Sequence, residues 1–232
     1  MGDVMGEKVI GILGGMGPLA TVELFRRIII NTPAKRDQEH LKIIIYNNPK
    51  IPDRTEYLIG KGESPLPELI RSAKQLEKCG ADFIVMPCNT AHFFLREIEK
   101  ELRISILSMI DAAADRAKKL KLGKVGILAT TGTVKAGIYQ KALEKRGLLP
   151  ILPSEEEQEI LMKGIYEGVK AGNFELGRKL ILEVAEYLER KCDGIIAGCT
   201  EVSVVINQKD LKVKFIDAMD ALAKRAVEFA KE

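Results

Sequence analysis

Cys88 and Cys199 occupy two copies of one short element. The first reads Ala-Asp-Phe-Ile-Val-Met-Pro-Cys-Asn-Thr over residues 81–90, the second Cys-Asp-Gly-Ile-Ile-Ala-Gly-Cys-Thr-Glu over 192–201. Asp82 matches Asp193 and Cys88 matches Cys199, both at an offset of 111 (193 − 82 and 199 − 88). In each copy an apolar run ends in Pro or Gly and then Cys. A buried strand that stops there presents a thiol at its C-terminal end, followed by hydroxyl or amide side chains. A thiol ionises near about pH 8.5, and helix N-termini facing a strand end lower that value. One thiolate can take a proton while an opposed thiol gives one. Removing and returning a proton on opposite faces of a carbon inverts it.

The remaining cysteines do not share the pattern. Cys79 and Cys192 both follow Lys, but at the offset of 111 they fall on Arg190 and Ala81. They read as inert, half-buried thiols at helix ends. There is no C-x-x-C, and His40 and His92 do not stand at metal-ligand spacing from any cysteine. No metal site is therefore expected. His92, four residues after Cys88, reads as a supporting residue rather than an acid or base.

Positioning two such thiols takes a duplicated scaffold, and the repeat extends beyond the cysteines. Lys8–Gly17 resembles Gly123–Gly132, with Gly11 on Gly126 at an offset of 115 (126 − 11). Met109-Ile110-Asp111-Ala112-Ala113 echoes Phe215-Ile216-Asp217-Ala218-Met219 at an offset of 106 (217 − 111). Strands are predicted over 9–13, 43–46, 83–87 and 104–107, then 124–129, a weak run near 149–152, 194–198 and 214–216. Helices are predicted over about 18–31, 65–79, 90–102 and 111–120, then 133–146, 155–171, 173–191 and 217–231. Ser154 and Glu157 form a capping box at one of these starts. Fully apolar strands alternating with helices imply parallel sheets covered on both faces. The expected fold is α/β: two similar three-layer α/β/α domains with parallel sheets, related by duplication, with the active site in the cleft between them.

The expected domains are 1–110 plus a returning helix at 217–232, and 111–216. Ligands bind at the C-terminal ends of such strands. There Gly14–Gly17, Cys88–Thr90, Thr130–Thr133 and Cys199–Glu201 would converge. The stretch from Asn47 to Pro67 carries four prolines and two glycines without a core pattern, which reads as a lid.

These motifs resemble the aspartate/glutamate racemase superfamily, on its aspartate racemase side. The residues that carry the resemblance are Gly-Gly-Met-Gly-Pro at 14–18, Asp53-Arg54-Thr55, Pro-Cys-Asn-Thr-Ala-His at 87–92, Thr-Thr-Gly-Thr at 130–133 and Gly-Cys-Thr-Glu at 198–201. The resemblance covers nearly the whole chain in order. Glutamate racemases instead resemble Asp-Ser-Gly near the N-terminus and Cys-Thr-His at the second thiol, where Glu201 stands here. It implies cofactor-independent racemisation of an acidic amino acid, aspartate or possibly glutamate, with Cys88 and Cys199 as the two acid/bases. Backbone N–H groups after each cysteine, with Asn89, Thr90 and Thr200, suit the α-carboxylate. Arg54 suits bidentate binding of a carboxylate, and Asp53 suits orienting Arg54 or meeting the ammonium. The resemblance makes Lys163 the partner of the side-chain carboxylate, although helical periodicity alone leaves it solvated. Met16 reads as core filler or cleft floor, and Thr130 and Thr131 complete the substrate-binding set. Glu201 reads as a tuner of Cys199 or a cap on the next helix. A homodimer is also implied.

Two other readings remain open. One is a related isomerase, such as a hydantoin racemase or a decarboxylase. The other is a non-catalytic protein that binds an acidic ligand.

Composition agrees with a globular protein. Of 232 residues, 46% are hydrophobic and 30% charged, and net charge is +3 from 36 basic and 33 acidic residues. No basic block stands out and Trp is absent, so nucleic acid is not an expected partner. No apolar run is long enough to cross a membrane, and Met1 to Lys8 does not read as a signal peptide. The expectation is a soluble cytoplasmic protein with reduced cysteines.

Overall fold

The computed structural model describes residues 6–232; residues 1–5, within the segment read above as no signal peptide, lie outside the described residues. The first half runs β1 (Ile10–Gly14), α1 (Pro18–Asn31), β2 (Ile43–Asn47), α2 (Arg54–Leu58), α3 (Leu66–Lys78), β3 (Phe83–Val85), α4 (Leu95–Glu99), β4 (Ser105–Leu107) and α5 (Met109–Lys119). The second half runs β5 (Lys124–Leu128), α6 (Thr131–Ala136), α7 (Ile138–Glu144), β6 (Leu149–Ile151), α8 (Glu155–Lys163), α9 (Phe174–Glu189), β7 (Gly194–Ala197), α10 (Thr200–Val205), β8 (Lys214–Asp217) and α11 (Ala218–Ala230).

The strands form two four-stranded sheets, β2-β1-β3-β4 and β6-β5-β7-β8. Every pairing is parallel. The second sheet repeats the first in order and in register. Gly11 pairs with Ile84 and Gly126 with Ile195, which reproduces both sequence offsets, 115 and 111 (126 − 11, 195 − 84). The third echo is three residues out of step. Ile84 pairs with Ile106 and Ile195 with Phe215, an offset of 109 (215 − 106) rather than 106. The shared Ile-Asp-Ala is a chance match. Asp217 is the N-cap of α11, whereas Asp111 lies inside α5, which Ser108 caps.

Three more differences have local causes. The helix expected over 133–146 is split into α6 and α7 at Gly137, whose φ of 66° lies in the left-handed region. The helix expected over 155–171 widens after α8 into π-helical turns over Gly164–Lys170. There Gly168 sits so close to α9 that a Cβ would come within 2.4 Å of Gly177 Cα. The connection 47–67 carries α2, whose first turn is held by Asp53 accepting from Thr55 N–H and Glu56 N–H.

Each half has its own apolar cluster on the outer face of its sheet: Leu69, Leu76, Ile84 and Met86 in the first, Leu161, Ile181, Val184 and Ile195 in the second. A third cluster takes Ile10, Ile12, Phe83 and Val85 from one sheet and Val125, Ile127, Ile196 and Ile216 from the other. Between them lie residues of α1, α5, α7 and α11, including Leu24, Ala113, Tyr139 and Leu222. No helix among the described residues is long and apolar enough to cross a membrane.

Candidate active site

In both sheets the strand order reverses beside the first strand, between β1 and β3 and between β5 and β7. Such a reversal leaves a crevice at the C-terminal strand ends. The loops after these four strands meet in one pocket, joined by the connection around α2. Its walls hold Met16 from β1's loop and Cys88, Asn89 and Thr90 from β3's loop. Thr130 comes from β5's loop, and Cys199, Thr200 and Glu201 come from β7's loop and α10. Asp53, Arg54 and Thr55 close one side, with Tyr166 and Lys170 from the π-helical turns beside Asp53. The cavity these side chains leave is about 20 Å³, room for a water molecule rather than for an amino acid, so the walls must part to admit a substrate.

The two thiols have unlike neighbours. Cys199 Sγ donates to Glu201 Oε2 at 2.9 Å, and Thr200 Oγ1 donates to the same oxygen at 3.0 Å. Burial pushes the Cys199 thiol well above its ordinary range, and the Glu201 carboxylate pushes further, with Lys170 only partly opposing. Glu201 thus faces the Cys199 thiol and also lies in the first turn of α10. The guanidinium of Arg54 lies against Cys88. Burial pulls the Arg54 pKa down, but the Cys88 sulfur and the Asp53 carboxylate outweigh it and hold the group above its ordinary value.

The cations are placed by backbone and by carboxylates. Arg54 Nη1 donates to Ile51 O and Pro52 O at 3.2 and 3.0 Å, and Nη2 donates to Met16 O at 3.4 Å. Its buried Nε has no partner among the described residues. The turn that offers the Met16 carbonyl requires Gly15, which has φ of 99° and packs within 2.3 Å, by a built Cβ, of the Asn48 backbone. Lys170 is open to solvent over much of its surface, while its Nζ lies 4.4 Å from the centre of the Tyr166 ring. Burial pulls the Lys170 pKa down, but Glu201, Tyr166, Cys199 and Asp53 together hold it above the ordinary value. Tyr166 Oη donates to Asp53 Oδ2 at 3.2 Å, and burial raises the phenol to about 12. Burial alone would raise Asp53, yet the Glu56 N–H, Lys170 and Arg54 bring it below its ordinary value.

Buried hydroxyls and amides tie the halves together. Thr90 Oγ1 lies 2.8 Å from Thr133 Oγ1 and 3.2 Å from Thr130 Oγ1, and Thr55 donates to Thr130 at 3.1 Å. Gly132 leaves Thr55 room, since a Cβ would come within 2.8 Å of Thr55 Cα. Tyr139 Oη donates to Asn89 Oδ1 at 2.6 Å. His92 is buried, which lowers its pKa. Its Nε2 accepts from Met109 N–H at 2.9 Å, so Nδ1 carries the proton donated to Cys88 O at 2.8 Å. His92 thus fixes the loop that carries Cys88, as a neutral side chain.

Of the residues expected here, Met16, Asp53, Arg54, Cys88, Asn89, Thr90, Thr130, Cys199 and Thr200 line the pocket. Thr131 does not: its N–H faces Met162 Sδ at 3.3 Å, and its hydroxyl accepts from Gln158 at 3.4 Å. Lys163 does not either; it is exposed at the end of α8. The lysine in the pocket is Lys170, seven residues on (170 − 163), about 10 Å further along a helix axis. Sequence reading missed Lys170, Tyr166 and Tyr139, and gave Thr55 and Thr133, which lie inside the quoted motifs, no role of their own. Tyr166 and Lys170, four apart beside the apolar stripe, were the one available signal. Cys79 and Cys192 are both free, but one is exposed and one buried, rather than half-buried alike. Among the described residues no group of three or more His, Cys, Asp or Glu is placed to hold a metal ion.

Known proteins give the same outline. The aspartate racemase of Picrophilus torridus is 36% identical with a TM-score of 0.87, over 96% of this chain and 94% of that one. The broad specificity amino-acid racemase RacX of Bacillus subtilis (strain 168) is 28% identical over 223 residues, 94% of this chain and 96% of that protein. The glutamate racemase of Aquifex pyrophilus is 29% identical over 193 residues, 77% of this chain and 70% of that protein. The profile of the Asp/Glu/Hydantoin racemase family matches residues 13–226. A duplicated α/β fold with one thiol at each crevice, matched over nearly its full length, makes this chain a member of the Asp/Glu/hydantoin racemase family, whose reaction class is amino-acid racemisation.

Proposed function

We propose that the protein racemises aspartate by two-base proton transfer between Cys88 and Cys199. The observation that carries this reading is that both thiols line one pocket together with two cations, Arg54 and Lys170. An acidic amino acid has two carboxylates to match two cations. Lys170 takes the role the resemblance gave to Lys163.

The unlike neighbours divide the labour. Cys199 holds its proton at neutral pH, so it is the acid of the resting enzyme, and Cys88, beside the Arg54 guanidinium, is the base. The Cα–H bond breaks and its proton passes to Cys88 Sγ. The electron pair stays on Cα, delocalised into the α-carboxylate that Asn89 and Thr90 hold. Cys199 delivers its proton to the opposite face, leaving a thiolate there and a thiol at Cys88. The opposite enantiomer starts from this second form. Return to the resting form releases the Cys88 proton to solvent and takes a solvent proton onto Cys199 Sγ.

The test is solvent deuterium incorporation at Cα of L- and D-aspartate, with glutamate and a hydantoin in parallel, under reducing conditions without added cofactor. Exchange with inversion is expected for aspartate, falling at least about 100-fold in Cys88→Ala and in Cys199→Ala. Full racemisation by both variants ends the two-base reading. Stabilisation by aspartate without exchange would leave only a binding role.

A further inference from the structure

Tyr139 touches a neighbour of each thiol. It lies on α7 and is fully buried. Its hydroxyl donates at 2.6 Å to Asn89 Oδ1, in the residue after Cys88. Its ring lies against Gly198, the residue before Cys199, where a Cβ would come within 3.0 Å of Tyr139 Cε2. One side chain from the second half thus spans both cysteine loops.

The hydrogen bond decides which way the Asn89 amide faces. An amide has an acceptor end and a donor end of nearly equal shape, so its orientation is set by partners. Burial, with Asp217 and Cys199 nearby, pushes the Tyr139 phenol well above its ordinary range, so it keeps its proton and donates. The donor holds Oδ1, which turns Nδ2 the other way. Asn89 is 3% exposed and lines the pocket, and its buried Nδ2 has no hydrogen-bond partner among the described residues. A buried donor left open is costly unless a ligand fills it. Flipped, the amide would instead offer an oxygen, which repels a carboxylate.

We propose that Tyr139 is a positioning residue that locks the Asn89 amide with its NH₂ turned into the pocket, so that Asn89 donates to a substrate carboxylate. The inference rests on the reading of the pocket as an amino-acid site and adds a residue to it. The donor is presented only when the two halves meet, because the lock comes from the half opposite Asn89.

Tyr139→Phe keeps the ring against Gly198 and removes only the hydroxyl. KM for both enantiomers is expected to rise about tenfold, as for one lost hydrogen bond to a charged group, with kcat within about threefold. In an Asn89→Ala background the same substitution is expected to leave KM unmoved, since its target is gone. A purely structural role would give the same change in both backgrounds, and that result, or an unchanged KM in the single variant, overturns the proposal. If Tyr139→Phe does not fold, the unmutated ¹⁵N-labelled protein decides: the Asn89 NH₂ resonances should shift on adding succinate, and unmoved resonances at saturation overturn it. Failure of the underlying reading looks different, because the unmutated protein then exchanges no α-proton with any amino acid.

Discussion

Glu201 is the residue on which the asymmetry between the two thiols turns. Its carboxylate accepts from Cys199 Sγ at 2.9 Å inside a buried pocket. A negative charge there disfavours thiolate and adds to the upward push of burial on Cys199. Glu201→Gln removes that charge and leaves an amide able to donate to sulfur. The ionisation of Cys199 is expected to move towards acid by roughly a unit or more. The pH profile of iodoacetamide labelling of the Cys199 peptide, read by mass spectrometry, measures it; an unmoved profile would mean that burial alone holds the proton. The alkaline arm of the racemisation profile should move with it. Cys88, Cys199 and Arg54 were legible because their types carry chemistry and the repeat gives two of them a shared position. Lys170 was not. In α-helical periodicity Lys163 and Lys170 are near-equivalent; the turns over 164–170 that separate them are π-helical and pack Gly168 against Gly177, which no local pattern announces.

Among the elements, α1 and α11 are joined through Arg27. It bonds Glu23 Oε1 at 2.7 Å one turn back and bridges to Asp217, the residue whose side chain accepts from Met219 N–H and Asp220 N–H to start α11. Only 13% of the Arg27 side chain is exposed, so little water screens the pair. Arg27→Ala is expected to destabilise by roughly 1.5–3 kcal/mol, the range for hydrogen bonds to charged groups. Part of that loss depends on pH. The Glu23 carboxyl is lowered from 4.5 to about 2, first by its hydrogen bond to Arg26 and next by Arg27, against burial. A lowered carboxyl stabilises above its unfolded pKa and loses that contribution as pH falls through its folded one. The gap between the parent and Arg27→Ala should therefore narrow as pH falls from about 4.5 towards 2. Urea midpoints at several pH values measure it, and a gap that stays constant refutes the assignment. The strands were readable as apolar runs, and α1 and α11 as amphipathic stretches. The short α2 was not, because it is held by its Asp53 cap and by α6 of the facing half.

The whole molecule is less divided than its sequence suggests. The repeat and the two sheets read as two domains, yet one apolar cluster draws from both sheets, with α1, α5, α7 and α11 between them. Neither half could keep this cluster out of water alone. Large apolar surface would be exposed on separating them, at about 25 cal/mol per Å². Local periodicity could show that each helix has an apolar face, but not that four helices would share one interior. Unfolding is therefore expected as one transition for the entire chain. Urea titration followed by far-UV ellipticity and by tyrosine fluorescence, which reports the buried Tyr139 among the five tyrosines, should give coincident midpoints. Two separated transitions would show that the halves are independent and that the shared cluster is weak. Substrate belongs to the same balance, because the pocket walls come from both halves and exist only when they are joined. Aspartate at about 100 times its dissociation constant should raise the stability of the whole unit by about 2.7 kcal/mol, moving both probes together. The shared interior keeps the two strand-order reversals facing each other, and that is what brings two thiols from distant parts of the chain to one small molecule.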